Sequence, residues 1–311
     1  MTDPATGQVP VARAGTVADL SRHLHAFGWA SIATNVLLVV TGGAVRLTAS
    51  GLGCPTWPQC HAGSFTPRGE MNIHSAIEFG NRTLTFVLAA VAILTFVAAW
   101  QSRRRELRWL AFGIGMAIPA QAVLGGISVL TDLNPWVVSL HLLSSLVIIT
   151  VAVVFLWRID RRLPRPAPLA WAMFAAAWAV LYMGTVVTGA GPHAGNAHSP
   201  RNGLSTLQTS QLHADLVFLF LGLTIGLLFV VRRTAAQRPV VVLLAVSLAQ
   251  GVVGFVQYFT GLPIVAVGFH MLGAALVVAT ATWALLTCGR PAPVRGDAAA
   301  DARAEAAAGG H

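Results

Sequence analysis

The sequence has little charge, no lysine and few cysteines. Only 10% of its 311 residues are charged, whereas 55% are hydrophobic. This composition excludes an ordinary soluble domain, which covers its surface with charged side chains, and three cysteines are too few for a disulfide scaffold. The net charge of +9 would suit a nucleic-acid-binding protein, but the arginines lie in clusters between apolar runs, as topology signals do. We therefore expect contact with membrane lipid and none with nucleic acid.

Eight apolar runs are each close to, or longer than, the ~20 residues that span the hydrocarbon core of a bilayer. They are Ala26–Val45, Ile73–Trp100, Trp109–Leu130, Trp136–Trp157, Leu169–Ala190, Leu207–Val231, Val240–Thr260 and Pro263–Thr287. We predict an all-α polytopic membrane protein with eight transmembrane helices. Residues 1–25 lack the apolar region and cleavage site of a signal peptide and are expected to be a cytoplasmic tail. The alanine-rich residues 288–311 are expected to be a disordered cytoplasmic tail.

Arginine predicts the orientation of the helices. Sixteen of the twenty arginines lie on one side of the predicted membrane, before span 1, after span 8 and in the loops that follow spans 2, 4 and 6. Cytoplasmic loops of membrane proteins carry such an excess. Both termini are therefore expected to be cytoplasmic.

The chain contains a duplication. Ala120–His141 and Ala249–His270 align without a gap and share a glutamine and a histidine at identical spacing, and the sequence VVTG at Val39–Gly42 recurs at Val186–Gly189. We predict two pseudo-symmetric four-helix bundles. These are an N-terminal bundle of residues 26–157 and a C-terminal bundle of residues 169–287, joined by a cytoplasmic linker of residues 158–168.

Four polar side chains fall within about the first two turns of predicted helices, just inside the outer boundary of the membrane. They are Asn81, His141, His213 and His270. Polar groups inside a bilayer are costly and usually mark function. In the C-terminal bundle the two histidines come from alternate helices, an arrangement that suits axial ligation of a haem iron. The alternative is that each histidine bonds to a neighbouring hydroxyl or carbonyl. Copper or zinc would need further soft or carboxylate ligands, and none is evident.

The N-terminal bundle differs at the same positions. It offers His141 opposite Asn81, and asparagine is a poor iron ligand, which suits a haem that enters, reacts and leaves. It also carries Glu78, the one carboxylate well inside its spans, on the helical face of Asn81. Two interpretations stay open for Glu78. It forms a salt bridge to Arg82 one turn along, or it accepts protons and stabilises positive charge at a haem edge.

Two cysteines lie in the first outer loop, within CPTWPQCH. An oxidising outer face permits a disulfide between Cys54 and Cys60, whereas a metal site would need further ligands that the sequence does not offer. Cys288 is expected to be a free thiol.

Together these residues resemble the heme A synthase family. The motif CPTWPQCHAG, the EFGNR that opens span 2, the duplicated bundles and the histidines of spans 4, 6 and 8 carry the resemblance, which covers nearly the whole chain outside its tails. The resemblance implies oxidation of the C8 methyl of haem O to a formyl group by successive hydroxylations, giving haem A for cytochrome oxidase. It also implies a bacterial cell-membrane location, and haem O synthase and the cytochrome oxidase assembly machinery as partners.

The resemblance also assigns residues. It implies a haem b held by His213 and His270 as an electron carrier, and a substrate haem held in the N-terminal bundle by His141, with Glu78 as the catalytic residue. The loop cysteines match the family's outer disulfide pair.

The sequence departs from the family pattern at two places. The family usually has a histidine where this chain has Asn81, and some members carry a second cysteine pair between spans 5 and 6. His74 is an alternative ligand on the face of Glu78, although it lies about 10 Å further out than Asn81 at ~1.5 Å per residue. Otherwise it contacts propionates or loop groups. Arg46 and Arg82 are candidate partners for haem propionates, or pair with an outer-loop acid.

Two other classes of protein compete with the synthase. A membrane di-haem electron-transfer protein would carry electrons without modifying a haem and would not need Glu78. A transporter is disfavoured, because four helices per repeat keep both copies in one orientation whereas transporter repeats are often inverted. The sequence leaves the oligomeric state open, a homo-oligomer included.

Overall fold

The computed structural model describes residues 19–66 and 73–290, and eight of its helices are long and apolar enough to cross a membrane. Their bounds are α1 Leu24–Leu47, α2 Ile73–Gln101, α3 Arg105–Leu130, α4 Pro135–Asp160, α5 Pro168–Ala190, α6 Thr206–Val230, α7 Gln237–Phe259 and α8 Ile264–Thr287. Each corresponds to one predicted span, so the all-α polytopic membrane fold is confirmed. Most of the predicted tails lie outside the described residues.

Helix starts follow local signals in the sequence. Asn134 accepts a hydrogen bond from the backbone N–H of Trp136, and proline occupies the first position of α4. Ser205 accepts in the same way from the N–H of Gln208 at the start of α6. Both side chains satisfy backbone donors that a helix N-terminus leaves unpaired. These caps fix where α4 and α6 enter the membrane, one or two turns before their histidines.

The helices pack as two closed rings. In the first, α1, α2, α3 and α4 each contact the next and α4 returns to α1; in the second, α5, α6, α7 and α8 do the same. The rings meet through α1, α4, α5 and α8, where Val39, Leu146, Leu181 and Ala275 form one buried cluster. The contacts thus group the helices in two sets of four, and the predicted domain bounds stay a prediction.

The apolar core of each bundle lies toward one end. In the N-terminal bundle it includes Leu107, Ala111 and Phe155, and in the C-terminal bundle Met173 and Leu227. These residues lie toward the arginine-rich end, where α2, α4 and α6 finish. In the described chain, no buried member of the clusters lies within one turn of the three predicted ligand histidines. Packing and polar chemistry are therefore separated along the bundle axis.

The linker between the bundles pairs with the end of the last helix. A two-residue strand β1, Arg165–Pro166, lies antiparallel to β2, Gly289–Arg290, and Ala167 donates a backbone hydrogen bond to the carbonyl of Cys288. The first residues of the predicted C-terminal tail are thus paired.

Candidate functional site

The predicted ligand histidines of the C-terminal bundle face each other. His213 on α6 and His270 on α8 have ring centroids 6.4 Å apart and ring planes at 72°. Two imidazoles on opposite sides of one metal ion have centroids about 6 Å apart, because each metal–nitrogen bond is about 2.0–2.1 Å. The observed spacing therefore fits a pair of axial ligands.

A glycine on the preceding helix lies beside each histidine ring. A Cβ atom at Gly184 of α5 would lie 3.3 Å from Cε1 of His213, and one at Gly254 of α7 would lie 3.6 Å from Cε1 of His270. Gly125 of α3 has the same relation to His141, at 3.3 Å. Since carbon atoms pack best at about 3.5–4.0 Å, the glycines at 125 and 184 let the neighbouring helix approach the ring more closely than a larger residue would.

The N-terminal bundle lacks this pair of histidine and glycine at Asn81, the position that aligns with His213. Asn81 accepts a hydrogen bond of 2.8 Å from Oγ1 of Thr41. In the VVTG alignment the position of Gly184 is occupied by Leu37, so both the imidazole and its adjacent glycine are replaced. His141 is present, and its Nδ1 is buried without a hydrogen-bond partner in the described chain. A buried polar nitrogen left in this state costs about 1–3 kcal/mol.

Glu78 is buried and accepts hydrogen bonds from neighbouring groups. Its side chain is 7% exposed, and Arg82 donates to its Oε1 at 2.7 Å, which is the salt bridge that the spacing predicts. The backbone N–H of Cys54 donates to Oε2, also at 2.7 Å, and Arg82 donates to the carbonyl of Cys54 at 3.1 Å. The carboxylate is therefore bound on both oxygens, and one of its partners belongs to the cysteine loop.

The cysteine loop, residues 54–60, lies over the N-terminal bundle. The predicted disulfide between Cys54 and Cys60 is present and both cysteines are fully buried. Trp57 packs against Gly126 so closely that a Cβ atom there would lie 2.4 Å from the indole. Because Gly126 follows Gly125, which touches His141, the loop reaches the immediate surroundings of that histidine.

Two further predicted residues lie at the loops. His74 is exposed, and its Nδ1 lies 3.0 Å from Oγ of Ser50. Arg46 donates to the backbone carbonyls of His193 and Thr188, at 2.6 and 2.9 Å, and so joins α1 to the end of α5 and to the loop that follows it. The described residues contain no cluster of three or more histidine, cysteine, aspartate or glutamate side chains suited to a metal ion. The facing histidines, His213 and His270, are therefore a pair without a third such side chain in the described residues.

Residues 25–282 match the COX15-CtaA family, described as a cytochrome oxidase assembly protein. The chain belongs to this family.

Curated relatives of this COX15-CtaA chain bear the name heme A synthase. The Lysinibacillus sphaericus protein is 34% identical over an alignment that covers 40% of this chain and 42% of the relative. The Bacillus pumilus protein is 38% identical over 36% of this chain and 37% of the relative. The chain thus spans about two fifths of the length of these two relatives. The Bradyrhizobium protein is 30% identical over 90% of this chain and 95% of the relative.

Several features of this COX15-CtaA site were not predicted from the sequence. Gly125 and Gly254 occupy equivalent places in the repeat, so the duplication itself was a signal that would have revealed them. The contact of Trp57 with Gly126 and the bond from Cys54 to Glu78 had no such signal, since both come from the path of an irregular loop.

Proposed function

We propose that this chain is a heme A synthase, an oxidoreductase that converts the C8 methyl of haem O to the formyl group of haem A by successive hydroxylations. The observation that carries the proposal is the difference between the bundles. One bundle presents two facing histidines at a spacing of 6.4 Å, whereas the other has His141 on α4 and, where the repeat predicts the second ligand, Asn81, which is bonded to Thr41. The name and near full-length coverage of the Bradyrhizobium relative support the same activity.

In this proposal the C-terminal bundle holds haem b between His213 and His270. Bound there, haem b supplies one-electron transfer. The bundles share the buried contact of α1 and α4 with α5 and α8. That contact would place the two haem sites on either side of one apolar interface.

The N-terminal bundle binds haem O as the substrate, with His141 as its protein ligand. The weak second position at Asn81 lets the substrate leave after oxidation. Glu78 is the proton acceptor near the reacting methyl, and Arg82 holds its carboxylate in place through the 2.7 Å ion pair. The cysteine loop and Trp57 shield the site from the outer aqueous phase, while His74 bonds to Ser50 and does not bind iron.

The same proposal includes the setting of the enzyme. The arginine excess favours cytoplasmic termini in a bacterial cell membrane, which places the histidine end outward. Haem O synthase would supply the substrate, and the cytochrome oxidase assembly machinery would receive haem A.

Extraction and mass measurement of the haems from the purified protein tests the proposal. After co-expression with a haem O source, we expect haem b together with haem O, its hydroxylated form or haem A. Haem b alone would favour an electron-transfer protein that does not modify haem.

Substitution of the ligands tests their assignment. His213→Ala and His270→Ala should each remove the low-spin haem b, because each deletes one of two facing imidazoles. His198→Ala, at an exposed loop histidine, is the control and should keep the haem b spectrum. A normal bis-histidine spectrum in both ligand variants would overturn the assignment.

A further inference from the structure

Gln250 on α7 lies against the ring of His270. One terminal atom of its side-chain amide is 2.7 Å from Nδ1 of His270 and 3.3 Å from the carbonyl of the same residue. The other terminal atom is 3.2 Å from the backbone nitrogen of Gly273. The amide thus lies on the ring nitrogen that would not bind iron.

Gly273 on α8 has no side chain and so leaves space for this amide. A Cβ atom at Gly273 would lie 1.0 Å from Nε2 of Gln250, so no other residue type leaves the amide where it is. The position of the amide therefore depends on residues of both α7 and α8.

The amide can meet either protonation pattern of Nδ1. With its nitrogen toward the ring, it donates to Nδ1 while its oxygen accepts from the N–H of Gly273. With its oxygen toward the ring, it accepts from a protonated Nδ1 and its nitrogen donates to the carbonyl of Phe269 at 3.4 Å, at the expense of an oxygen 3.3 Å from the carbonyl of His270 and a nitrogen 3.2 Å from the nitrogen of Gly273. A histidine that binds metal through Nε2 carries its proton on Nδ1 and almost always donates it to an oxygen.

We infer that Gln250 is the positioning residue for His270 in haem b ligation, an inference that rests on the proposed function. Its amide oxygen accepts the Nδ1 proton when Nε2 binds iron, and its amide nitrogen serves Nδ1 when the haem is absent. A carboxylate would do only the first and would place a charge inside the membrane. Glutamine thus fixes the ring orientation in both states.

In the N-terminal bundle the equivalent glutamine and histidine, Gln121 and His141, make different hydrogen bonds. Gln121 donates to Oγ of Ser145 at 2.6 Å and to the carbonyl of His141 at 3.3 Å, and its Oε1 is buried without a partner in the described residues. Ser145 corresponds to Ala274 in the repeat. The serine therefore tethers the first amide through its nitrogen, whereas Gln250 is free of such a tether.

The test uses purified full-length protein loaded with haem b and measures two quantities. These are the rate of haem b transfer to excess apomyoglobin and the midpoint potential of haem b. Gln250→Leu should accelerate transfer by about 10–100-fold, the usual effect of losing such an outer partner. It should also raise the potential, because a hydrogen bond to Nδ1–H makes the imidazole a stronger donor to ferric iron. If the ferric affinity alone falls tenfold, the rise is about 59 mV.

Two companion variants separate positioning from general loosening. Gly273→Ala leaves Gln250 in the sequence but displaces its amide, and alanine suits a helix better than glycine, so it should repeat the effect without harming the fold. Gln250→Glu keeps an acceptor and should lower the potential below that of the wild type. The control is Gln257→Leu, the same change two turns along α7, at a glutamine whose buried amide oxygen has no partner in the described chain.

The inference is overturned if Gln250→Leu and Gly273→Ala release haem b at the wild-type rate, or if Gln257→Leu accelerates release as much as they do. It is also overturned if Gln250→Glu raises the potential. A wild-type protein without a bis-histidine haem, or a His270→Ala variant that keeps one, refutes the proposed ligation itself. That failure is visible before any glutamine variant is compared.

Discussion

Replacement of Glu78 by glutamine separates a catalytic carboxylate from a structural one. The side chain accepts one hydrogen bond on each oxygen, from Cys54 N–H and from Arg82. Glutamine has one oxygen, so its NH₂ group must face one of these donors. A hydrogen bond to a charged group contributes about 1.5–3 kcal/mol, and we expect Glu78→Gln to lower the free energy of unfolding by about that amount.

The effect on turnover should be larger if the carboxylate takes up protons from the reacting methyl. Acid–base groups typically contribute about 10²–10⁴-fold to rate, and 10²-fold corresponds to about 2.7 kcal/mol of activation free energy. We expect Glu78→Gln to retain haem b in the C-terminal bundle and to lose at least about 10²-fold in conversion of haem O, as measured by mass analysis of the extracted haems.

Arg82→Gln is the matched control, because it breaks the same ion pair but leaves the bond from Cys54 to the carboxylate. A structural role predicts similar losses of product and of thermal stability in both variants. Near-normal haem A from Glu78→Gln would refute a catalytic role for Glu78.

Two further predictions concern the loop and its contacts. Without reductant, Cys54 and Cys60 should resist alkylation, and Cys288 should react slowly at neutral pH and faster as pH rises, because burial raises the pKa of its thiol; mass mapping that finds both loop cysteines alkylated would contradict this. Gly126→Leu should displace Trp57 and reduce haem A formation while the haem b spectrum stays normal, so unchanged product would show that the indole contact is dispensable.

Hydropathy and periodicity predicted the eight helices because each span must satisfy its own backbone in lipid, which makes a long apolar run nearly sufficient. The facing of His213 and His270 was also predictable, since equal depth on alternate helices of a closed ring brings side chains together. The hydrogen bond from the backbone N–H of Cys54 to Glu78 was not predictable, because it depends on the path of an irregular loop. The position of Gln250 depended on Gly273, whose missing side chain has meaning only once α7 and α8 are packed.

The bond from Arg46 to the carbonyls of Thr188 and His193 has a consequence for biosynthesis. Its partners lie 142 and 147 residues further along the chain, so the ribosome completes the first four helices before they exist. Until α5 and the loop after it are made, the guanidinium at the end of α1 has none of these carbonyls to bind. Gly51 also depends on a later part of the chain, since its N–H donates to the carbonyl of Gly195. The first bundle is therefore incomplete when its own four helices have been made, and a chain cut within residues 158–168 would leave this end of it unassembled until the second half arrived.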